Sequence, residues 1–219
     1  MEIGIYHTAV SDWPTVKNLG IRLVQVYPPT TENLNIAQVM RLSVFVELKH
    51  ITEHDVFQHP SVRYWMLEDE PDMWNVPPKT VRDQHQQVKY TDPLRRPTLC
   101  MVSALWHNHL PWYRRWPGFN YLAYKDSGDI IGTDKYGSPG SVKSHIRFNF
   151  KPVIGKRPWF AAVDLRRSPE DIFDTCVLLR DMGCKLVLLY AYRDEGSNFY
   201  LWDHRHRMIA IEKAVAECQ

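Results

Sequence analysis

RYWMLEDEPD, residues 63–72, passes from an apolar, β-favouring run straight into three consecutive acids and then Pro71. Proline has no N–H with which to continue a ladder, so the strand has to end there. A run that is apolar on both alternating faces suits a parallel strand covered on both sides. Working outward, seven further short runs share this character, at 3–7, 22–27, 44–48, 98–103, 129–134, 159–164 and 185–192. Longer amphipathic segments separate several of them. Ser168-Pro169-Glu170-Asp171 opens a helix with an N-cap serine, a proline at the first turn and early acids, and Gly183 stops it. Residues 13–19, 77–89 and 204–217 also read as helices, whereas 141–156 is ambiguous.

Eight strand candidates in 219 residues give about 27 residues per unit, close to a tightly looped βα repeat. The sequence therefore predicts an α/β protein, a compact (β/α)8 TIM barrel formed by residues 1–219 as one domain. A doubly wound open sheet is the competitor. It usually carries a glycine-rich first βα turn, and here that turn reads HTAVSDWP.

Composition narrows the function classes. Lys plus Arg number 27 against 25 for Asp plus Glu, so no broad cationic field for nucleic acid is expected. The longest apolar runs fall far short of the roughly 18–20 residues a membrane span needs. Cys100, Cys176, Cys184 and Cys218 show no CxxC spacing and read as reduced thiols. The N-terminal MEIGIYHTAV has no cationic stretch or apolar signal core, so a cytoplasmic location is the default expectation. Nothing sets the oligomeric state.

In a (β/α)8 barrel the chemistry sits at the C-terminal ends of the strands. The polar residues ending each run are Tyr6 and His7, Gln25 and Tyr27, Glu47, Lys49 and His50, Asp69 and Glu70, Asp134 and Tyr136, Asp164, and Tyr192, Asp194 and Glu195. An acid-rich rim with several tyrosines fits general acid–base work on a polyhydroxylated substrate. Clustered carboxylates raise the pKa of at least one of them, which keeps a general acid protonated near neutrality. The same acids could instead be a solvated loop opening a helix. Eight tryptophans and eleven tyrosines offer flat apolar faces for sugar rings or bulk for the core. Trp106, in WHNHLPWYRRW, is taken as a wall of a substrate groove, and Trp159 as a further binding candidate. Arg166-Arg167 reads as a solvated loop or as a contact for an anionic sugar. His107 with His109, and His204 with His206, lack the third and fourth ligands of a metal site, so neither a metal nor another cofactor is expected.

Four ordered motifs carry a family resemblance: YWMLEDEPD, VKYTDPLRRPTL, GDIIGTDKYG and SPEDIFDTCVLLRDMGCKLVLLYAYRD. Together they resemble the barrel domains of glycoside hydrolases and their relatives, over roughly residues 62–219. The resemblance implies that Glu70 is the acid/base glutamate ending strand 4. It further implies that Asp69 is the aspartate which, in substrate-assisted hexosaminidase-type families, orients a 2-acetamido group. Retaining families place a nucleophilic glutamate at the end of strand 7. Here that strand reads PWFAAVDLRR and offers Asp164. This leaves three expectations: Asp164 as nucleophile, Asp69 in substrate assistance, or a relative that binds sugar without cleaving it. Asp134 and Tyr136 stand in the position of the strand-6 motif. Tyr6, Tyr27, Tyr136 and Tyr192, with Glu195, are expected to contact the carbohydrate.

Overall fold

In the computed structural model, residues 1–103, 121–190, 192–194 and 199–218 are described. Eight strands close into a parallel barrel in chain order: β1 (Glu2–Ile5), β2 (Leu23–Gln25), β3 (Ser43–Glu47), β4 (Val62–Asp69), β5 (Thr98–Val102), β6 (Ile130–Thr133), β7 (Trp159–Asp164) and β8 (Leu186–Tyr190). Closure comes from β1 against β8, with Gly4 opposite Leu188. Every expected run overlaps its strand, and the open-sheet alternative is excluded. Full closure leaves no sheet edge to protect.

Outside the barrel lie α1 (Trp13–Asn18), α2 (Thr31–Val39), α3 (Pro78–Thr91), α4 (Tyr121–Tyr124), α5 (Pro139–His145), α6 (Lys151–Ile154), α7 (Pro169–Asp181) and α8 (Arg205–Cys218). As expected, the Ser168 hydroxyl accepts from the Asp171 N–H at 3.1 Å, and Gly183 takes φ 82° just past α7. The ambiguous 141–156 stretch is helical throughout most of its length. α5 is capped by Ser138, runs into a π-helical turn at Ile146–Phe150, and continues as α6 to Gly155 at φ 65°. Two short strands, β9 (Arg193–Asp194) and β10 (Phe199–Tyr200), pair antiparallel beyond β8.

Period-2 alternation divides the apolar residues into two cores. Ile3, Ile5, Val24, Val44, Val46, Trp65 and Leu67 face outward beneath the helices. Leu23, Phe45, Tyr64, Met66, Leu99, Phe160, Leu186 and Leu188 fill the barrel. Phe160 fits because its neighbour across the barrel wall is Gly132: a Cβ there would lie 2.3 Å from the phenyl ring.

The VKYTDPLRRPTL motif is a structural clamp at the N-terminal end of β4 and β5. Asp92 accepts from the Trp65 indole at 2.8 Å and from the Arg96 Nε at 2.9 Å. The Arg96 guanidinium also donates to the carbonyls of His59, Val62 and Phe57 and stacks over the Trp65 ring. Both partners are buried. These bonds, chiefly those from Arg96 and Trp65, overcome the effect of burial and hold the Asp92 carboxyl down at about 2. All four cysteines are buried free thiols.

Candidate active site

At the C-terminal mouth, the ends of β1, β4, β5, β6, β7 and β8 surround a cavity of about 280 Å³. How Asp69 and Glu70 come to face it depends on one irregularity in β4. From Met66 to Asp69, β4 advances three residues while its partner β5 advances two, from Leu99 to Met101. This extra residue is a β-bulge, and it exchanges the faces of the residues beyond it. Strict alternation from Tyr64 and Met66 would turn Glu68 inward. Instead Glu68 accepts from Gln84 of α3 at 3.2 Å, outside the barrel, and Asp69 lines the cavity.

Glu70 comes next, in the left-handed region at φ 48°, a conformation costly for a residue with a Cβ. Its N–H donates to the Met101 carbonyl at 3.1 Å, so the strand pairing reaches the acid itself. The turn beyond is tied down by Asp72, which accepts from the Ser103 N–H at 2.9 Å and the Ser103 hydroxyl at 2.7 Å. Burial pushes Asp72 up to about 6 against these two bonds.

The Glu70 carboxyl is hydrogen-bonded to that of Asp134, which is 3 % exposed just beyond β6. Burial first, and then Asp134, push Glu70 up to about 9. Burial, with Glu70 and Glu47 nearby, pushes Asp69 up to about 7, while Lys49 opposes the rise. One strand end thus presents a carboxyl protonated at neutrality and a second that titrates there.

Three tyrosines enclose these acids. Tyr136 and Tyr190 stack with ring centroids 5.7 Å apart, and Tyr6 lies 6.3 Å from Tyr190. Burial, reinforced by the carboxylates, keeps Tyr6 and Tyr136 neutral far above the usual tyrosine range. The Tyr6 hydroxyl is buried and has no hydrogen-bond partner among the described residues. A buried unpaired hydroxyl costs about 1–3 kcal/mol, which a ligand hydroxyl or carbonyl would recover.

β7 contributes Ala162 to the cavity wall, and Asp164 is engaged elsewhere. Its Oδ1 accepts from the Arg166 N–H at 2.9 Å and Nε at 2.8 Å, and its Oδ2 from Nη2 at 3.1 Å. The guanidinium so held lines the cavity over the Tyr190 ring. Arg167, by contrast, pairs with Asp171 at the surface. Behind the β1 wall, the His7 N–H donates to Gln25, and Gln25 donates to Glu47 at 2.5 Å. Lys49 and His50 pair with the other Glu47 oxygen.

Of the predicted site residues, the cavity gathers Tyr6, Asp69, Glu70, Asp134 and Tyr136. Asp164 reaches it through Arg166. Tyr27 is exposed on the rim, beside His50. Trp159 lies elsewhere, at the first residue of β7, buried against Phe150 at the far end of the barrel. Tyr192 is buried in the outer core beside Trp202. Trp106 and Glu195, like the His107–His109 pair, fall outside the described residues. Sequence reasoning overlooked Tyr190, whose signal was its parity with Leu186 and Leu188. Among the described residues no group of acids, histidines and cysteines could hold a metal ion, and no helix is long and apolar enough to cross a membrane.

The closed parallel barrel is the fold of several solved glycoside hydrolases. Its structural neighbours are glycoside hydrolases, as the motifs implied, and no single family is fixed. An endo-β-1,3-glucanase of the GH128 group from Amycolatopsis mediterranei, solved with laminaripentaose, superposes with a TM-score of 0.67 at 14% identity over 97% of this chain and 99% of that one. A GH128 exo-β-1,3-glucanase from Aureobasidium namibiae gives 0.59 at 11% identity over 91% and 87% of the two chains. A GH2 β-galacturonidase from Eisenbergiella tayi, bound to galacturonate, gives 0.65 at 13% identity, covering 94% of this chain; the match spans only 46% of the galacturonidase. No protein-family model and no curated protein matches the chain.

Proposed function

We propose that this barrel is a glycoside hydrolase in which Glu70 is the general acid. The observation that carries the proposal is the Glu70–Asp134 carboxyl pair lining one cavity, where burial first and Asp134 second keep a proton on Glu70 up to about pH 9. A glycosidic oxygen needs that proton as the bond to the anomeric carbon breaks. Tyr6 and Tyr136, held neutral, would donate to substrate hydroxyls.

The second carboxylate is Asp69. Direct displacement needs a carboxylate on the opposite side of the sugar, about 5–5.5 Å from the acid in retaining enzymes. Asp69 comes from the same strand end as Glu70, and the β7 acid that would stand opposite is clamped by Arg166. This arrangement favours substrate assistance: the carbonyl oxygen of a 2-acetamido group attacks the anomeric carbon, while Asp69 orients the group through its N–H. Asp164 then serves to position Arg166.

Aryl 2-acetamido-2-deoxy-β-glycosides and the corresponding aryl β-glucosides test the proposal directly. Wild type should cleave the first and spare the second, and Glu70→Gln should lose activity on the first. Preferential cleavage of the glucosides would overturn the role of the acetamido group. The second reading is a carbohydrate-binding barrel without catalysis, favoured by the absence of a glutamate from the end of β7. Saccharide binding with no turnover of any glycoside would establish it.

A further inference from the structure

The connection from β6 to α5 carries two of the cavity's side chains, Asp134 and Tyr136, on a stretch that belongs to neither element. β6 makes its last ladder contacts at Thr133, opposite Val102 of β5 and Ala161 of β7. Past that residue the ladder no longer fixes the chain, although Asp134 meets Glu70 just beyond it. A hydrogen bond closes the connection at its base. It joins the Thr133 hydroxyl and the His145 Nε2 at 3.1 Å, across twelve residues of sequence. Both residues are buried.

Alternation along β6 explains why this bond bears on the acid. Ile131 lies in the outer core and Gly132 faces Phe160 inside the barrel, so Thr133 turns outward to the helices and Asp134 inward to the cavity. Pinning Thr133 to α5 therefore sets the direction in which the next side chain leaves the strand. His145 sits where its helix changes character. It is the last residue of α5, and the π-helical turn at Ile146–Phe150 follows directly. Such turns are uncommon and often mark functional sites. Burial, aided by Lys135, holds the imidazole down at about 4, so it stays neutral from mildly acidic to alkaline pH and its contact with Thr133 persists.

We infer that His145 is a positioning residue: through Thr133 it holds the end of β6 so that the Asp134 carboxyl stays against Glu70. The inference rests on the glycoside hydrolase reading for its consequence in rate, whereas its effect on the Glu70 proton needs no turnover. Glu70 acts in turn on Asp69, Asp72 and Tyr136, and Asp134 acts on Tyr6 and Tyr136, so a displaced Asp134 is felt across the cavity.

The test follows the Glu70 carboxyl carbon by NMR through a pH titration, beside the alkaline limb of kcat/KM. Thr133→Val keeps a β-branched side chain of similar size and removes the hydroxyl. His145→Ala removes its partner, and His145→Gln keeps an amide N–H near the place of Nε2. The first two should move the Glu70 transition by about half a unit or more toward lower pH, and His145→Gln should stay near wild type. In an Asp134→Asn background neither should move it further. His59→Ala is the control, since that histidine is also buried but contacts Asn35 and Ser61 before β4 starts. It should lower the melting temperature and leave the transition in place. An unmoved transition in Thr133→Val and His145→Ala overturns the inference, as does an equal shift in His59→Ala or a further shift on top of Asp134→Asn. If the transition moves but wild type hydrolyses no glycoside, His145 keeps its role and the catalytic proposal falls. If wild type cleaves glycosides and the transition stays in place, the reverse is true.

Discussion

The Glu70 carboxyl at the end of β4 meets the Asp134 carboxyl just beyond β6 in a hydrogen bond, and the two cannot easily ionise together. Two acids from non-adjacent strands are brought together in one cavity, Asp134 buried and Glu70 half-buried. Burial is the largest cause of the resistance to losing the proton, and Asp134 adds to it. The pair therefore behaves as a proton store at neutral pH.

Replacement of Glu70 by Gln should leave saccharide binding nearly intact, since the amide still donates a hydrogen bond, and remove the proton. Loss of a general acid costs about 10²- to 10⁴-fold in rate. An aryl glycoside with a good leaving group needs less protonation and should lose less than the natural linkage. Equal losses on both substrates would show that Glu70 is structural.

The pH profile of kcat/KM should be bell-shaped, with limbs governed by Asp69 at about 7 and Glu70 at about 9. The proposed mechanism requires Asp69 ionised and Glu70 protonated, so activity should rise through the first value and fall through the second. Asp134→Asn removes a carboxylate that holds the Glu70 proton, and the alkaline limb should move to lower pH. An unmoved limb would assign it to another group.

Stability should respond to the same proton. Glu70 binds it more tightly folded than unfolded, because its folded value is raised from 4.5 to about 9. Its contribution is fully present below about pH 4.5 and is lost as pH rises toward about 9. Glu70→Gln does not titrate, so its melting temperature should gain on that of wild type as the pH is raised through this window. Parallel curves for the two proteins would refute the shift.

Asp92→Ala should destabilise the fold without entering the active site. It leaves the buried Arg96 guanidinium without its carboxylate, a change that costs about 3–5 kcal/mol. For a chain of this size each kcal/mol is roughly 2–4 °C of melting temperature. Calorimetry would read the loss directly, and a shift below about 3 °C would show that the clamp is dispensable.

Gly132→Ala should destabilise by about 1–3 kcal/mol through overpacking against the Phe160 ring. Phe160→Leu in the same chain should restore part of the loss if the clash is the cause. Non-additivity of this pair in chemical denaturation is the measurement that decides it.

Several features of the molecule were legible in the sequence alone. Eight apolar runs at near-regular spacing determined the strands, because burial on both faces leaves a continuous apolar signature. Pro71 and the acids before it marked where β4 stops and where chemistry could start. Ser168-Pro169 and Gly183 bounded α7 through local backbone chemistry. α2 was not anticipated, although Thr30 caps it by accepting from the Asn33 N–H at 3.2 Å.

Only the tertiary structure decided which side chains the cavity would receive. The direction of Glu68 and Asp69 turned on a bulge set by β5, a strand some thirty residues away in sequence. Tyr190 faces the cavity while Tyr192 does not, since β8 ends between them and its alternation ends with it. Asp134 met Glu70 through the closed barrel, a pairing that the spacing of acids along the chain does not encode, whereas Asp164 and Arg166 pair locally, two residues apart. Strand identity is a local property of burial and propensity, whereas register, bulges and carboxyl pairing are set by contacts between segments distant in sequence.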